Sequence, residues 1–191
     1  IPFILFFILF LPLFFFFTYF RLFGLGFVKF GFFPLATLFS IVFMVVGSFF
    51  NLPLFSKKKL TINLGGGLFP LFLSSYFLYL LFKKGAKMEI VFFILLFMII
   101  FCKKISFIDL KKGVMIPALF PALLSAFLSF LFLPEFALIC AFSCGSLGVL
   151  IGADILNLPK LMKLRGVSVS IGGAGVFDAI FLVGIFSLLF F

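Results

Sequence analysis

Residues 136–159 read FALICAFSCGSLGVLIGADILNLP. From Phe136 to Ala153 no side chain is charged. A helix of that length approaches the roughly 20 apolar residues that a bilayer core requires. Asp154 stands at the edge of the run, and Asn157, Leu158 and Pro159 follow it. The stretch predicts a membrane helix over about 136–154, interrupted just beyond its end.

The rest of the chain is built alike. Of 191 residues, 66% are apolar and 10% charged, with a mean hydropathy of +1.50. A soluble domain of this length needs a polar surface that this composition does not supply. Further apolar runs predict helices at about 2–20, 33–50, 66–82, 88–102, 114–133 and 175–191. Barrel strands alternate polar and apolar residues, and these runs do not. The expected fold class is all-α: a polytopic transmembrane helix bundle of about seven helices. It forms a single integral membrane domain over 1–191, multi-pass in the cell membrane. The run MEIVFFILLFMIIF, starting at Met88, is short and carries Glu89. It either spans with its flanking lysines snorkelling or lies at the interface, which leaves six helices. The first run lacks a basic leader and a small-residue cleavage site and reads as a retained helix.

The net charge is +10, with lysines between the apolar runs at Lys57–Lys59, Lys83-Lys84, Lys103-Lys104 and Lys111-Lys112. That is the pattern of cytoplasmic loops resting on a bilayer with anionic headgroups, and not of nucleic acid binding. If 88–102 spans, Lys57–Lys59, Lys103–Lys112 and Lys160–Arg165 share the cytoplasmic side. If it does not, Lys83–Lys112 and Lys160–Arg165 share it. Both arrangements stay open. The 39 phenylalanines suit a lipid-facing surface or a biased genome and receive no function.

The chain has no histidine, which removes Ser-His and Cys-His catalysis and His-ligated metals. Cys140 and Cys144 share a helix face, but with Cys102 they complete no ligand set, and all three read as small buried side chains. Neither a metal nor a cofactor is expected.

Two segments repeat. SFFNLP (48–53) leads through a basic loop to NLGGGLFP (63–70), and DILNLP (154–159) leads through a basic loop to IGGAGVFD (171–178). Asn51 aligns with Asn157, Pro53 with Pro159, and Gly67-Leu68-Phe69 with Gly175-Val176-Phe177. The repeat halves are about 33–82 and 136–191. Asp154 falls opposite Ser48 and Asp178 opposite Pro70, so only the second half carries the acids.

Asp154 and Asp178 lie near one membrane face, because one short loop joins their helices. An ionised carboxylate in apolar surroundings costs several kcal/mol, by rough estimate, unless paired or hydrated. Two close carboxylates hold a proton between them. The structural alternative is that Asp178 caps the last helix and Asp154 pairs with Lys160 or Arg165. The glycine clusters, Gly65, Gly66, Gly67 and Gly172, Gly173, Gly175, present backbone amides for an anion or lipid phosphate, or permit close helix packing. Neither has the ending of a nucleotide-binding loop. Asn51 and Asn157 either cap broken helix ends or offer a side-chain oxygen to a cation. Pro117 and Pro121, one turn apart, predict a kink in the fifth helix. Glu135 reads as solvated, and Glu89 and Asp109 as surface partners of neighbouring lysines.

The motifs GSFFNLPL, INLGGGLFP, GVMIPALFPALLSAF, GSLGVLIGADILNLPKL and SIGGAGVFDAIFLVGI occur in that order over roughly residues 45–191. In this the chain resembles the archaeal and bacterial membrane family catalogued as domain of unknown function 1614, which implies membrane class and no activity. GGAGVFD also resembles the Gly-x-Gly-Asp motif of intramembrane aspartyl proteases and prepilin peptidases. Here, however, Val176 and Phe177 separate Gly175 from Asp178, and only a loop separates the two acids.

The leading expectation is a small membrane protein that binds or moves an ion or small solute. Asp154 and Asp178 would hold the cation or proton, with Asn51, Asn157 and the two glycine clusters lining the path. The small subunit suggests a homo-oligomer. The alternative is an intramembrane aspartyl protease-like hydrolase in which Asp154 and Asp178 are catalytic and activate a water. A third reading is a non-catalytic helper of a larger membrane complex.

Overall fold

The computed structural model describes residues 42–43, 45–55, 60–109, 113–162, 169–174 and 178–188. All but Val42 belong to one compact unit, Phe43–Phe191. Six α-helices form among the described residues: α1 (Phe69–Lys83), α2 (Met88–Ile105), α3 (Leu119–Phe132), α4 (Ala137–Val149), α5 (Leu158–Leu161) and α6 (Ala179–Leu188).

Every residue of α4 except Leu138 is buried. A helix that is apolar on all sides must lie inside, and α1, α2, α3 and α6 pack around it. Small residues on α4 let the neighbours come close. A β-carbon at Gly148 would meet Met98 Cβ at 2.7 Å, and one at Gly152 would strike the Ile99 carbonyl oxygen. These contacts, with Cys144 beside the Val91 carbonyl, show that α2 runs parallel to α4. Phe77 meets Phe142 edge-on, with ring centroids 5.3 Å apart, and Gly145 packs on Ser125 of α3. Gly184 of α6 packs on Phe142 and Ser146. α1, α3 and α6 are antiparallel to α4, so they begin at the end where α2 and α4 finish.

The outer helices turn large apolar side chains outward. Phe72, Tyr79 and Phe82 on α1, Phe92, Phe93 and Leu96 on α2, and Phe120, Phe127 and Phe130 on α3 are all exposed. Apolar exposure on this scale marks an interaction surface. Two continuous helical stretches, Leu64–Lys83 and Pro134–Leu161, are long and apolar enough to cross a membrane. The run from Met88 is one unbroken helix of 18 residues, about 27 Å long at the usual rise.

The all-α expectation needs correction. The segments between helices carry five short strands: β1 (Asn51–Phe55), β2 (Leu60–Asn63), β3 (Phe107–Asp109), β4 (Gly113–Met115) and β5 (Val169–Ile171). β1 and β2 form an antiparallel hairpin, and β5 adds to β2 in parallel, Leu60 opposite Val169 and Ile62 opposite Ile171. β3 and β4 pair separately. Thr61, Ile62, Val169 and Ile171 favour extended backbone, but three or four such residues stand out from a loop only when a partner strand is present.

The seven-helix count is not confirmed among the described residues. The expected helices at 2–20 and, up to residue 41, at 33–50 lie outside the described residues. The helix expected over 114–133 starts at Leu119, because Gly113–Met115 is a strand. Pro117 therefore precedes that helix and Pro121 sits in its first turn, where no backbone N–H is needed, so the pair marks a start and not a kink. The helix expected over 136–154 continues to Leu161. A π turn over Leu150–Asp154 and a 3-10 turn over Ile155–Asn157 lead into α5, whose first turn accommodates Pro159.

Gly152→Ala places a methyl group against α2 backbone. It is expected to destabilise the protein by about 1–3 kcal/mol, read as a lowered melting temperature in detergent.

Candidate functional site

The strand-bearing end of the bundle is organised by a residue that the sequence reading passed over. Asn63 closes β2 with extended backbone and caps the π turn Leu64–Leu68. Its Oδ1 accepts from Gly65 N at 3.0 Å and Gly66 N at 2.8 Å. Its Nδ2 donates to the Ser48 carbonyl at 2.8 Å and to Asn51 Oδ1 at 3.2 Å. Asn51 Oδ1 also accepts from Ser170 Oγ on β5 at 2.9 Å. The Asn63 amide, fully buried, thus uses both donors and its acceptor oxygen within the protein. An asparagine directly before a glycine-rich helix start is an N-cap signature, and that signal was available in INLGGG.

After β5 the chain turns at Gly172, whose φ is +68°. A β-carbon there would fall on the Gly66 and Gly67 backbone, and one at Gly67 would come within 2.9 Å of both the Ile171 oxygen and Ile62 Cγ1. Gly67 and Gly172 therefore serve close backbone packing. Gly65 and Gly66 are buried, and their N–H groups belong to Asn63. Gly173 is exposed in the turn beside Ser170, and Gly175 lies outside the described residues.

Both acids border this turn. Asp154, half-buried at the end of the π turn, faces the Gly172 N–H, and Asp178 is near enough for the two charges to act on each other. Asp178 caps α6: its Oδ1 accepts from Ile180 N at 3.0 Å, and its Oδ2 accepts a longer bond from Ala174 N at 3.4 Å. The capping alternative therefore holds for Asp178. Arg165, the other partner considered for Asp154, lies outside the described residues.

Asn157 belongs to a different cluster. Its Nδ2 donates to Ala153 O at 2.7 Å and to Ser106 Oγ at 2.9 Å, and its Oδ1 accepts from Lys103 Nζ. Lys103 also donates to Leu156 O at 2.8 Å. These bonds fasten the end of α2 to the end of the central helix. Asn51 and Asn157, aligned in the repeat, do not converge: one joins three strands and the other joins two helices. Lys103 and Ser106 carried no sequence signal, since their partner is some fifty positions away. Among the described residues, no three His, Cys, Asp or Glu side chains converge on a point where a metal could sit.

These features describe a mostly helical protein with helices apolar enough for a membrane and a small three-stranded sheet at one end. Residues 34–190 match the family model described as Protein of unknown function (DUF1614), and the chain belongs to that family. No curated protein and no solved structure matches it.

Asn63→Ala leaves two buried amide groups without their acceptor. The expected loss is about 1–3 kcal/mol, again read as a fall in melting temperature, with Asn51→Ala less damaging because one partner bond is lost on each side.

Proposed function

We propose that the protein is a multi-pass membrane protein that binds a proton or small cation between Asp154 and Asp178 and passes it along the bundle. The observation that carries this reading is the Gly172–Ala174 turn, which offers one backbone N–H to each carboxyl group and leaves the two acids close enough for their charges to interact. Carboxyl groups so placed gain by sharing a positive ion. The exposed aromatic faces of α1, α2 and α3 suit acyl chains, and α2 runs the length of the central helix. With α2 crossing, Lys103, Lys104 and Lys160 stand at the end that holds the acids, and Lys83, Lys84 and Lys87 at the other. The segments with Lys57–Lys59, Lys111-Lys112 and Lys163–Arg165 connect elements of the acid-bearing end, and the charge rule makes that end cytoplasmic.

A second reading has one observation in its favour. β5 is an edge strand of its sheet, and its next residue, Gly172, faces Asp154. An extended peptide added along that edge would bring its backbone to the carboxyl pair, where one acid and one base could activate water.

Purified protein in proteoliposomes separates the two. Under the first reading, Asp154→Asn and Asp178→Asn each reduce proton or cation flux by at least about tenfold, and the double variant is little worse, because the two groups act as a unit. Wild-type flux in both single variants would reject it. Under the second, wild-type protein shows no flux, and either substitution abolishes cleavage of a membrane-embedded peptide.

A further inference from the structure

Lys103, near the end of α2, carries a positive charge that the fold fixes in place. Two of its three ammonium N–H groups are spent, on Leu156 O at 2.8 Å and on Asn157 Oδ1, both in the 3-10 turn before α5. Neither acceptor is charged, so these bonds orient the ammonium without neutralising it. Lys160 of α5 is near enough for its charge to act on Lys103. Lys104 follows in the last turn of α2 and is exposed, as Lys160 is.

No acidic side chain among the described residues pairs with any of the three. Asp154, the nearest acid in that segment, faces Gly172 and Asp178 instead. The dipole of α2 accounts for cations at its carboxyl end, but not for Lys160, which belongs to another element. Like charges gathered from two elements repel each other, and a shared anion relieves them.

Toward the middle of α2 the surface turns apolar. Ile100, Phe97, Leu96 and Phe93 follow the lysines at helical spacing and are all exposed. Leu156, whose carbonyl Lys103 holds, is exposed as well. From Lys103 back to Phe93 is about 15 Å along the helix, the depth of one leaflet of a bilayer's hydrocarbon core.

We propose that Lys103, Lys104 and Lys160 form a site for the phosphate of an anionic phospholipid, whose acyl chains lie along the Phe93–Ile100 stripe of α2. The uncompensated charge selects an anion, and the apolar stripe that starts beside it selects an anion carrying chains. A phosphate held there bridges α2 and α5, beside the bonds from Lys103 that already fasten them. The inference rests on the membrane reading above and not on the carboxyl pair.

The test uses the full chain purified in dodecyl maltoside and follows its melting temperature as phosphatidylglycerol or phosphatidylcholine is added, since a bound ligand raises it. Wild-type protein is expected to gain several degrees with phosphatidylglycerol and clearly less with phosphatidylcholine. Lys104→Gln combined with Lys160→Gln is expected to need about tenfold or more phosphatidylglycerol for half of that gain. Without lipid this variant melts as the wild type does, because neither side chain has a hydrogen bond among the described residues. Lys83→Gln combined with Lys84→Gln makes the same charge change at the other end of α2's bundle and is expected to respond as wild type. An equal gain with the two lipids, or an equal weakening in the two double variants, overturns the site and leaves only a general attraction between charges. The same gain with inorganic phosphate alone overturns the lipid assignment in favour of a free-anion site. Carbonate washing of cell membranes separates this inference from the reading it rests on. Protein that stays in the membrane yet shows no preference for phosphatidylglycerol loses the site alone, whereas protein that washes off loses the membrane reading and the site with it.

Discussion

Backbone lying directly on backbone at Gly172 holds the polar end of this protein together. Its φ of +68° already favours glycine, and a β-carbon would collide with Gly66 and Gly67. That one contact seats the turn after β5 against the π turn before α1. It also aims the Gly172 N–H at Asp154 and the Ala174 N–H at Asp178. Two acids some two dozen residues apart border one turn because Gly67 and Gly172 have no side chains to keep the segments separate.

The second constraint is the central helix. α4 and the π turn after it are lined with Gly145, Gly148 and Gly152, and each is in contact with a neighbouring helix. Close approach of that kind relies on shape and dispersion. The same closeness leaves α1, α2 and α3 presenting their phenylalanines outward. At Gly152, where the Ile99 carbonyl presses on the helix, the hydrogen-bond ladder widens into a π turn, a form that often accompanies functional positions. Asp154 closes that turn.

The two Asn-Leu-Pro copies show how identical letters take different backbones. Asn51-Leu52-Pro53 is an edge strand, and Asn157-Leu158-Pro159 is the start of a helix. Proline suits both, since an outer strand edge and a first helical turn alike have no use for its missing N–H. What differs is the asparagine's surroundings. Asn51 meets Asn63 and Ser170 across strands, whereas Asn157 meets Lys103 and Ser106 across helices. Side chains with two donors and an acceptor take whatever partners the packing supplies.

Sequence alone determined that the protein is mostly helical and roughly where its apolar helices lie, because composition and the length of apolar runs depend on local free energies of transfer. The helices from 64, 88 and 137 onward lie close to where those runs put them, and Asp154 and Asp178 stand out as charges where charge is costly. INLGGG carried its cap in plain view as well. Tertiary structure alone decided that the connecting segments pair as strands, that Asn63 is their keystone, and that Lys103 fastens to Asn157. It also decided that α2 runs beside α4. Each of these depends on groups far apart in the chain, and no local pattern encodes a partner that only the folded chain brings near.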